Sequence, residues 1–252
     1  MEYGRRELKR GAEGADVVEL QIRLAGFRGT VPDGDFGPGT ERQVMSFQHD
    51  YMQREPSGRA GGATLRAIDE LADRYPIDFD RLRCPCGGCG GFGKGAGKGK
   101  YAAGHAGEEA YHLYEYPGVH RMLLWAVRAA FFYMPQHKWT INSCYRCDVD
   151  NARSGRTSTN HHGKAIDLDI ELKPGEVNVD DRRKCDAARG RLVETADAQI
   201  GWAGRNRKAL EPPEIAPTWV HYDVRCYEPK YLADRFFCTS LKALDRRRPI
   251  RV

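Results

Sequence analysis

Three stretches in the first 75 residues carry apolar side chains at helical spacing. Val17, Leu20 and Leu24 follow Asp16; Val44, Phe47 and Tyr51 follow Thr40; Leu65, Ile68, Ala72 and Tyr75 follow Thr64. Steps of three and four residues put such side chains on one helix face, and the Asp or Thr ahead of each can cap the free N–H groups. The pattern predicts three short amphipathic helices around a small core. Asp33-Gly34-Asp35-Phe36-Gly37-Pro38 joins the first two, a run suited to a turn. Between Pro76 and Gly107 the glycine-rich run offers little that packs, and it reads as a flexible linker or surface insertion. Helical spacing returns between Glu108 and Met134, on Val119, Met122, Leu123, Ala126, Ala130 and Tyr133, after the break Pro117-Gly118. Trp125, Phe131 and Phe132 make this helix apolar over most of its circumference, as for a buried support. Residues 138–146 read as a strand, Asp148 to Thr157 as a polar loop, and Lys173-Pro174-Gly175 as a strand break. Asp180 or Asp181 can cap a further helix through Leu192, Val193, Ala196 and Ile200.

Two segments alternate instead. In residues 165–170, Asp167 and Asp169 share one face of a strand; Ile166, Leu168 and Ile170 share the other. Ser158-Thr159-Asn160-His161-His162-Gly163 leads into it. In residues 219–225, Trp219, His221, Asp223 and Arg225 share one face, and Val220, Tyr222 and Val224 the other. Pairing the two strands with their apolar faces together puts His221 near Asp167, and His161 arrives from the preceding turn. Two imidazoles and one carboxylate make three protein ligands with a fourth position open, the pattern of a catalytic zinc site. Such a metal lowers the pKa of water and polarises a carbonyl. His162 competes with His161 for the ligand position. Asp169 and Glu171 read as a solvated face, and His112, His120 and His137 receive no role.

Composition narrows the classes. The chain has 252 residues, 40% of them hydrophobic, enough for a substantial core. No apolar run reaches the roughly 20 residues of a membrane span. The opening residues hold no apolar stretch to serve as a signal peptide, which points to a cytosolic origin. A net charge of +5 suits an anionic partner but equally suits plain solubility. The eight cysteines read as thiols or metal ligands rather than disulfides. Three of them, in Cys84-Pro85-Cys86-Gly87-Gly88-Cys89, would hold a second, structural metal if Cys144, Cys147 or His105 joined them. The cluster lacks paired Cys-x-x-Cys spacing, so free thiols in a mobile loop are the default expectation.

The residues carry two family resemblances. Gly11-x-x-Gly14-x-x-Val17-x-x-Leu20-Gln21-x-x-Leu24, then Asp33-Gly34-x-Phe36-Gly37-x-x-Thr40 and Val44-x-x-Phe47-Gln48, resembles the three-helix peptidoglycan-binding module. Asp33, Asp35, Gln48 and Tyr51 are its candidate groove residues. Ser143-x-Tyr145-Arg146, then Ser158-x-x-His161-x-Gly163-x-Ala165-x-Asp167 and Trp219-x-His221-x-Asp223-x-Arg225, resembles the zinc D-Ala-D-Ala carboxypeptidase and L,D-endopeptidase family of cell-wall enzymes. That resemblance covers about Tyr111 onward. It implies zinc on His161, Asp167 and His221, and Arg146 on the substrate and the developing oxyanion. Ser158, Tyr145 and Trp219 are expected at the substrate. The chain departs from the commoner motif at Asn160, where that motif has its His, and at Thr218, where many members place a Glu as general base. Asp223 is the expected substitute and Glu214 the alternative.

The expected architecture is therefore two domains: a small all-α three-helix bundle in residues 1–76 and an α+β zinc peptidase domain in residues 108–252, with a mainly antiparallel sheet. Residues 77–107 lie between them as the Gly/Cys-rich linker or insertion. The combination resembles a phage endolysin, a monomer with one catalytic Zn2+. It would be held in the host cytoplasm until lysis and then act at the periplasm and cell wall. Bacterial peptidoglycan is the expected partner, with no nucleic acid and no membrane insertion. The alternative function is a non-catalytic wall-binding protein with a degenerate peptidase domain, motivated by Thr218.

Overall fold

Glycines, not the Asp and Thr residues, start the three N-terminal helices. In the computed structural model, which describes residues 3–29, 31–95, 114–156, 158–171 and 181–245, α1 (Ala15–Arg23), α2 (Pro38–Asp50) and α3 (Gly62–Arg74) begin after Gly14, Gly37 and Gly61. Asp16, Thr40 and Thr64 lie inside the first turns and tie the helices to other elements. Asp16 accepts from Arg6 Nε at 2.7 Å, Thr40 Oγ1 from Gln21 Nε2 at 2.9 Å, and Thr64 Oγ1 from Gln48 Nε2 at 3.1 Å. Leu20, Leu24, Val44 and Phe47 form the expected core. Two groove candidates are structural instead. Gln48 is buried and bonded to Ser57, Arg59 and Thr64, and the Tyr51 ring stacks on Phe47.

The segment after α3 packs through its described part: Ile77 and Leu82 are buried, and the Leu82 carbonyl accepts from Tyr145 N at 3.0 Å. Expectations placed on His105, His112, residues 96–107, Lys173-Pro174-Gly175 and Asp180 fall outside the described residues.

The apolar support helix is α4 (Arg121–Tyr133). It starts later than its pattern suggests. Before it the chain forms β1 (Val119–His120), paired with β7 (Phe237–Cys238). Gly118, at φ +121°, passes so close to the Cys238 carbonyl that a Cβ would strike it. The main sheet runs β2 (Lys138–Ser143), β3 (Ala165–Glu171), β6 (Val220–Asp223), β5 (Lys208–Leu210) and β4 (Ala198–Ile200). All neighbours are antiparallel except β4 and β5. The expected polar loop contains a short helix, α5 (Asp148–Arg153); α6 (Asp181–Ala196) follows β3, and α7 (Leu241–Leu244) closes the described chain.

Helix α1 lies against α4 through a buried charge network. Arg121 grips Glu19 with two bonds of 2.9 and 2.8 Å, and Arg23 adds a third at 2.7 Å. Arg23 continues to Asp69 at 2.9 Å, and Arg128 binds Asp245 at 2.6 Å. Around it, Phe27 and Tyr51 meet Phe132 of α4, with ring centres 6.0 and 5.3 Å apart.

Candidate metal centre and cleft

Strand β3 pairs with β6 so that Asp167 stands directly opposite His221. The apolar side chains Ile166, Leu168, Val220 and Tyr222 are buried, which holds the polar face of both strands toward a cleft of about 600 Å³. His161 reaches the same place from the turn before β3. Gly163, at φ +111°, permits that turn, because a Cβ there would run into the Gly118 carbonyl. One ligand atom from each of His161, Asp167 and His221 lies within 4.8 Å of the other two.

The protonation pattern of the three suits a cation. His161 Nδ1 can only donate to the Cys144 carbonyl, so in the neutral ring it is Nε2, 3.3 Å from Asp167 Oδ2, that has the lone pair for a metal. His221 is caught between two carboxylates: Nδ1 is 2.7 Å from Asp167 Oδ1 and Nε2 is 3.0 Å from Asp223 Oδ2. Burial opposes a charge on His221, but the two carboxylates outweigh it and push its pKa up to about 9. Burial lowers the pKa of His161. Burial would also raise Asp167, yet the two imidazoles hold it well below the usual carboxylate range. A zinc ion would be held by His161, Asp167 and His221, with Asp223 accepting a hydrogen bond from His221 Nε2 and so fixing the ring.

That arrangement moves Asp223 away from the role expected of it. Asp223 is fully buried, and its carboxylate is shared among His221 Nε2, Arg225 Nε at 2.7 Å and Arg225 N at 2.9 Å. It sits behind His221 and does not line the cleft, so it is not placed to take a proton from a water there. Glu214 is exposed and also off the cleft. The carboxylates lining the cleft are Asp167 and Glu211. Glu211 lies just beyond β5, its N–H donating to the His221 carbonyl at 3.3 Å and its Oε1 4.0 Å from His221 Nε2. Sequence reasoning missed it. The available signal was Ala209-Leu210, an apolar pair followed by Glu211 and the break Pro212-Pro213.

The remaining expected residues separate. Arg146, Ser158 and Trp219 line the cleft. The Arg146 side chain has no ion pair among the described residues, its Nε has no partner, and its backbone N–H is held by the His161 carbonyl at 2.8 Å. Tyr145 lines the cleft as well, although its ring is buried and its hydroxyl is engaged, donating to the Tyr116 carbonyl at 2.6 Å. His162 faces away, toward Asp148 at 3.1 Å and Asn151 at 3.2 Å. Asp169 pairs opposite Thr140 and stands outside the ligand group.

These features define a class: an α+β domain with an open two-histidine, one-carboxylate set beneath a cationic cleft, packed on a helical module. Residues 13–68 match the family described as "Putative peptidoglycan binding domain". Over 172 residues the chain is 31% identical to the zinc D-Ala-D-Ala carboxypeptidase of Streptomyces albus G, covering 64% of this chain and 60% of that protein. Over 68 residues it is 37% identical to the spore cortex-lytic enzyme of Bacillus subtilis (strain 168), covering 26% of this chain and 22% of that one. A crystal structure of the SleB N-terminal domain shares 36% identity, covering 27% of this chain and 94% of the other, with a TM-score of 0.26. The sequence similarities support a peptidoglycan-binding module followed by a zinc-peptidase-like domain.

Proposed function

We propose that the chain is a zinc peptidase of bacterial peptidoglycan, hydrolysing an amide of the stem peptide or cross-link while the helical module holds the wall. The observation that carries this reading is the convergence of His161, Asp167 and His221 in a cleft that also holds Arg146, which has no ion pair among the described residues, and the Glu211 carboxylate, 3.6 Å from Arg225 Nη2. A zinc ion on those three residues would polarise the scissile carbonyl and make water a nucleophile at neutral pH. Arg146 would bind the carbonyl oxygen as it gains negative charge. Glu211 takes the proton of the attacking water and returns it to the leaving amine as the C–N bond breaks. Asp223 orients His221 and serves no proton transfer. Arg81, Arg83 and Arg156 also line the cleft, which suits a peptide rich in carboxylates.

The finer reading is an endolysin that waits in a host cytosol and reaches the wall when the inner membrane is breached. Its support is the joining of a wall-binding module to a wall-peptide site. Expression in bacteria should give lysis only when the membrane is permeabilised. The central test is release of new amino groups from purified peptidoglycan. Release by the zinc-loaded protein, abolished by chelator and by His221→Ala, is expected, and mass spectrometry of the products identifies the bond. A zinc-loaded protein that pellets with walls but releases nothing would leave only a wall-binding protein.

A further inference from the structure

Three cysteines on one tight loop meet a fourth from a distant part of the chain. Cys84, Cys86 and Cys89 occupy the loop after α3, bent at Gly87, whose φ is +74°. Cys147 lies 63 residues beyond Cys84, in the turn that starts α5. The four sulfurs all lie within 4.8 Å of one another, and Cys84 Sγ is 3.6 Å from Cys147 Sγ. Tetrahedral zinc with Zn–S bonds of about 2.3 Å spaces its sulfurs about 3.8 Å apart. A disulfide would need about 2.05 Å. Backbone N–H groups are aimed at the sulfurs: Gly88 N lies 3.3 Å from Cys86 Sγ and Cys147 N lies 3.4 Å from Cys84 Sγ. Such donors stabilise thiolates bound to a metal.

We propose that Cys84, Cys86, Cys89 and Cys147 hold a second, structural zinc ion that clamps this loop to the turn carrying Arg146. The loop and the turn already touch: Tyr145 N donates to the Leu82 carbonyl at 3.0 Å, and the loop closes on itself where Cys84 N donates to the Gly91 carbonyl at 2.8 Å. Arg81, Arg83 and Pro85 of the same segment form one wall of the cleft. The loop is short of apolar side chains, so a metal supplies the cross-link that packing does not. The set is closed by four protein ligands, which gives the ion a structural role and leaves the water chemistry to the open histidine site.

Metal content and spectroscopy of the full chain, purified under reducing conditions, test the proposal independently of the histidine site. Wild type should carry two zinc ions, the His161→Ala/His221→Ala double variant one, and Cys86→Ser one. After cobalt exchange, the thiolate-to-cobalt absorption band should persist in the histidine variant and vanish in Cys86→Ser. X-ray absorption on the zinc-loaded histidine variant should show an all-sulfur shell at about 2.3 Å, a readout that needs no cysteine variant to fold. Trypsin should cut at Arg81 and Arg83 at least tenfold faster in Cys86→Ser than in wild type. No zinc in the histidine variant, iron in place of zinc, or a Cys84–Cys147 disulfide in the purified protein would each overturn the proposal. Loss of hydrolysis alone, with the sulfur-bound zinc intact, would instead count against the proposed peptidase.

Discussion

Glu211 and Asp223 both lie close to His221 Nε2, at 4.0 and 3.0 Å, yet only Glu211 reaches the cleft. Their variants should therefore fail differently. Glu211→Gln is expected to lower kcat by about 100- to 10,000-fold, the usual weight of a general base, with zinc content unchanged. Asp223→Asn should instead weaken zinc binding by about 10- to 100-fold, with activity recovering in excess zinc. Amino-group release together with chelator competition separates the two. Equal loss of activity at full zinc occupancy in both would refute the division of roles. The candidate ligands Asp167 and His221 were legible because alternation in a strand fixes which side chains share a face. The burial of Asp223 was not, because the same alternation places Asp223 on the face of His221 and says nothing about what packs behind it.

At the scale of elements, the turn into β3 is the demanding piece. Gly163 combines a positive φ with backbone contact to Gly118. Left-handed backbone alone costs a non-glycine residue about 1–2 kcal/mol, and the collision adds to it. Gly163→Ala should lower the melting temperature and displace His161, reducing zinc at the histidine site. A variant with wild-type melting and full zinc occupancy would show that the turn tolerates a side chain. Element types were largely readable from hydrophobic period; their starts were not. The capping residues expected at Asp16, Thr40 and Thr64 are drawn instead into bonds with Arg6, Gln21 and Gln48, partners invisible to local pattern.

For the whole molecule, the α1–α4 contact joins the helical module to the site-bearing half. Glu19 is buried between Arg23 and Arg121. Glu19→Ala removes the carboxylate that Arg121 and Arg23 share, leaving Arg23 with Asp69, and should destabilise the protein by about 3–5 kcal/mol, as breaking a buried ion pair does. Urea unfolding followed by fluorescence measures this, and a change below about 1 kcal/mol would show that the network is solvated. Stability should also depend on pH through His120. That ring is buried, donates from Nε2 to the Tyr231 carbonyl at 2.8 Å, and has no partner at Nδ1. Burial lowers its pKa from 6.5 to about 4. Between those values the unfolded chain binds more protons than the folded one. The contribution is thus intact above about pH 6.5 and falls by about 3 kcal/mol as pH drops to 4. His120→Phe should show a shallower loss across that window; parallel curves for the two proteins would exclude His120 as the cause.

By itself the sequence determined three amphipathic helices, two strands whose polar faces carry Asp167 and His221, and the chemistry those residue types allow. Periodicity and side-chain chemistry are local properties, written into each segment. Only the tertiary structure decided that His161 rather than His162 faces the cleft, that Asp223 lies behind the imidazole and Glu211 beside it, and that Cys147 completes the Cys84 loop. It also decided that Glu19 is the anion between Arg23 and Arg121. Each of these depends on which distant segment packs against a given face, and that is set by burial summed over the whole chain.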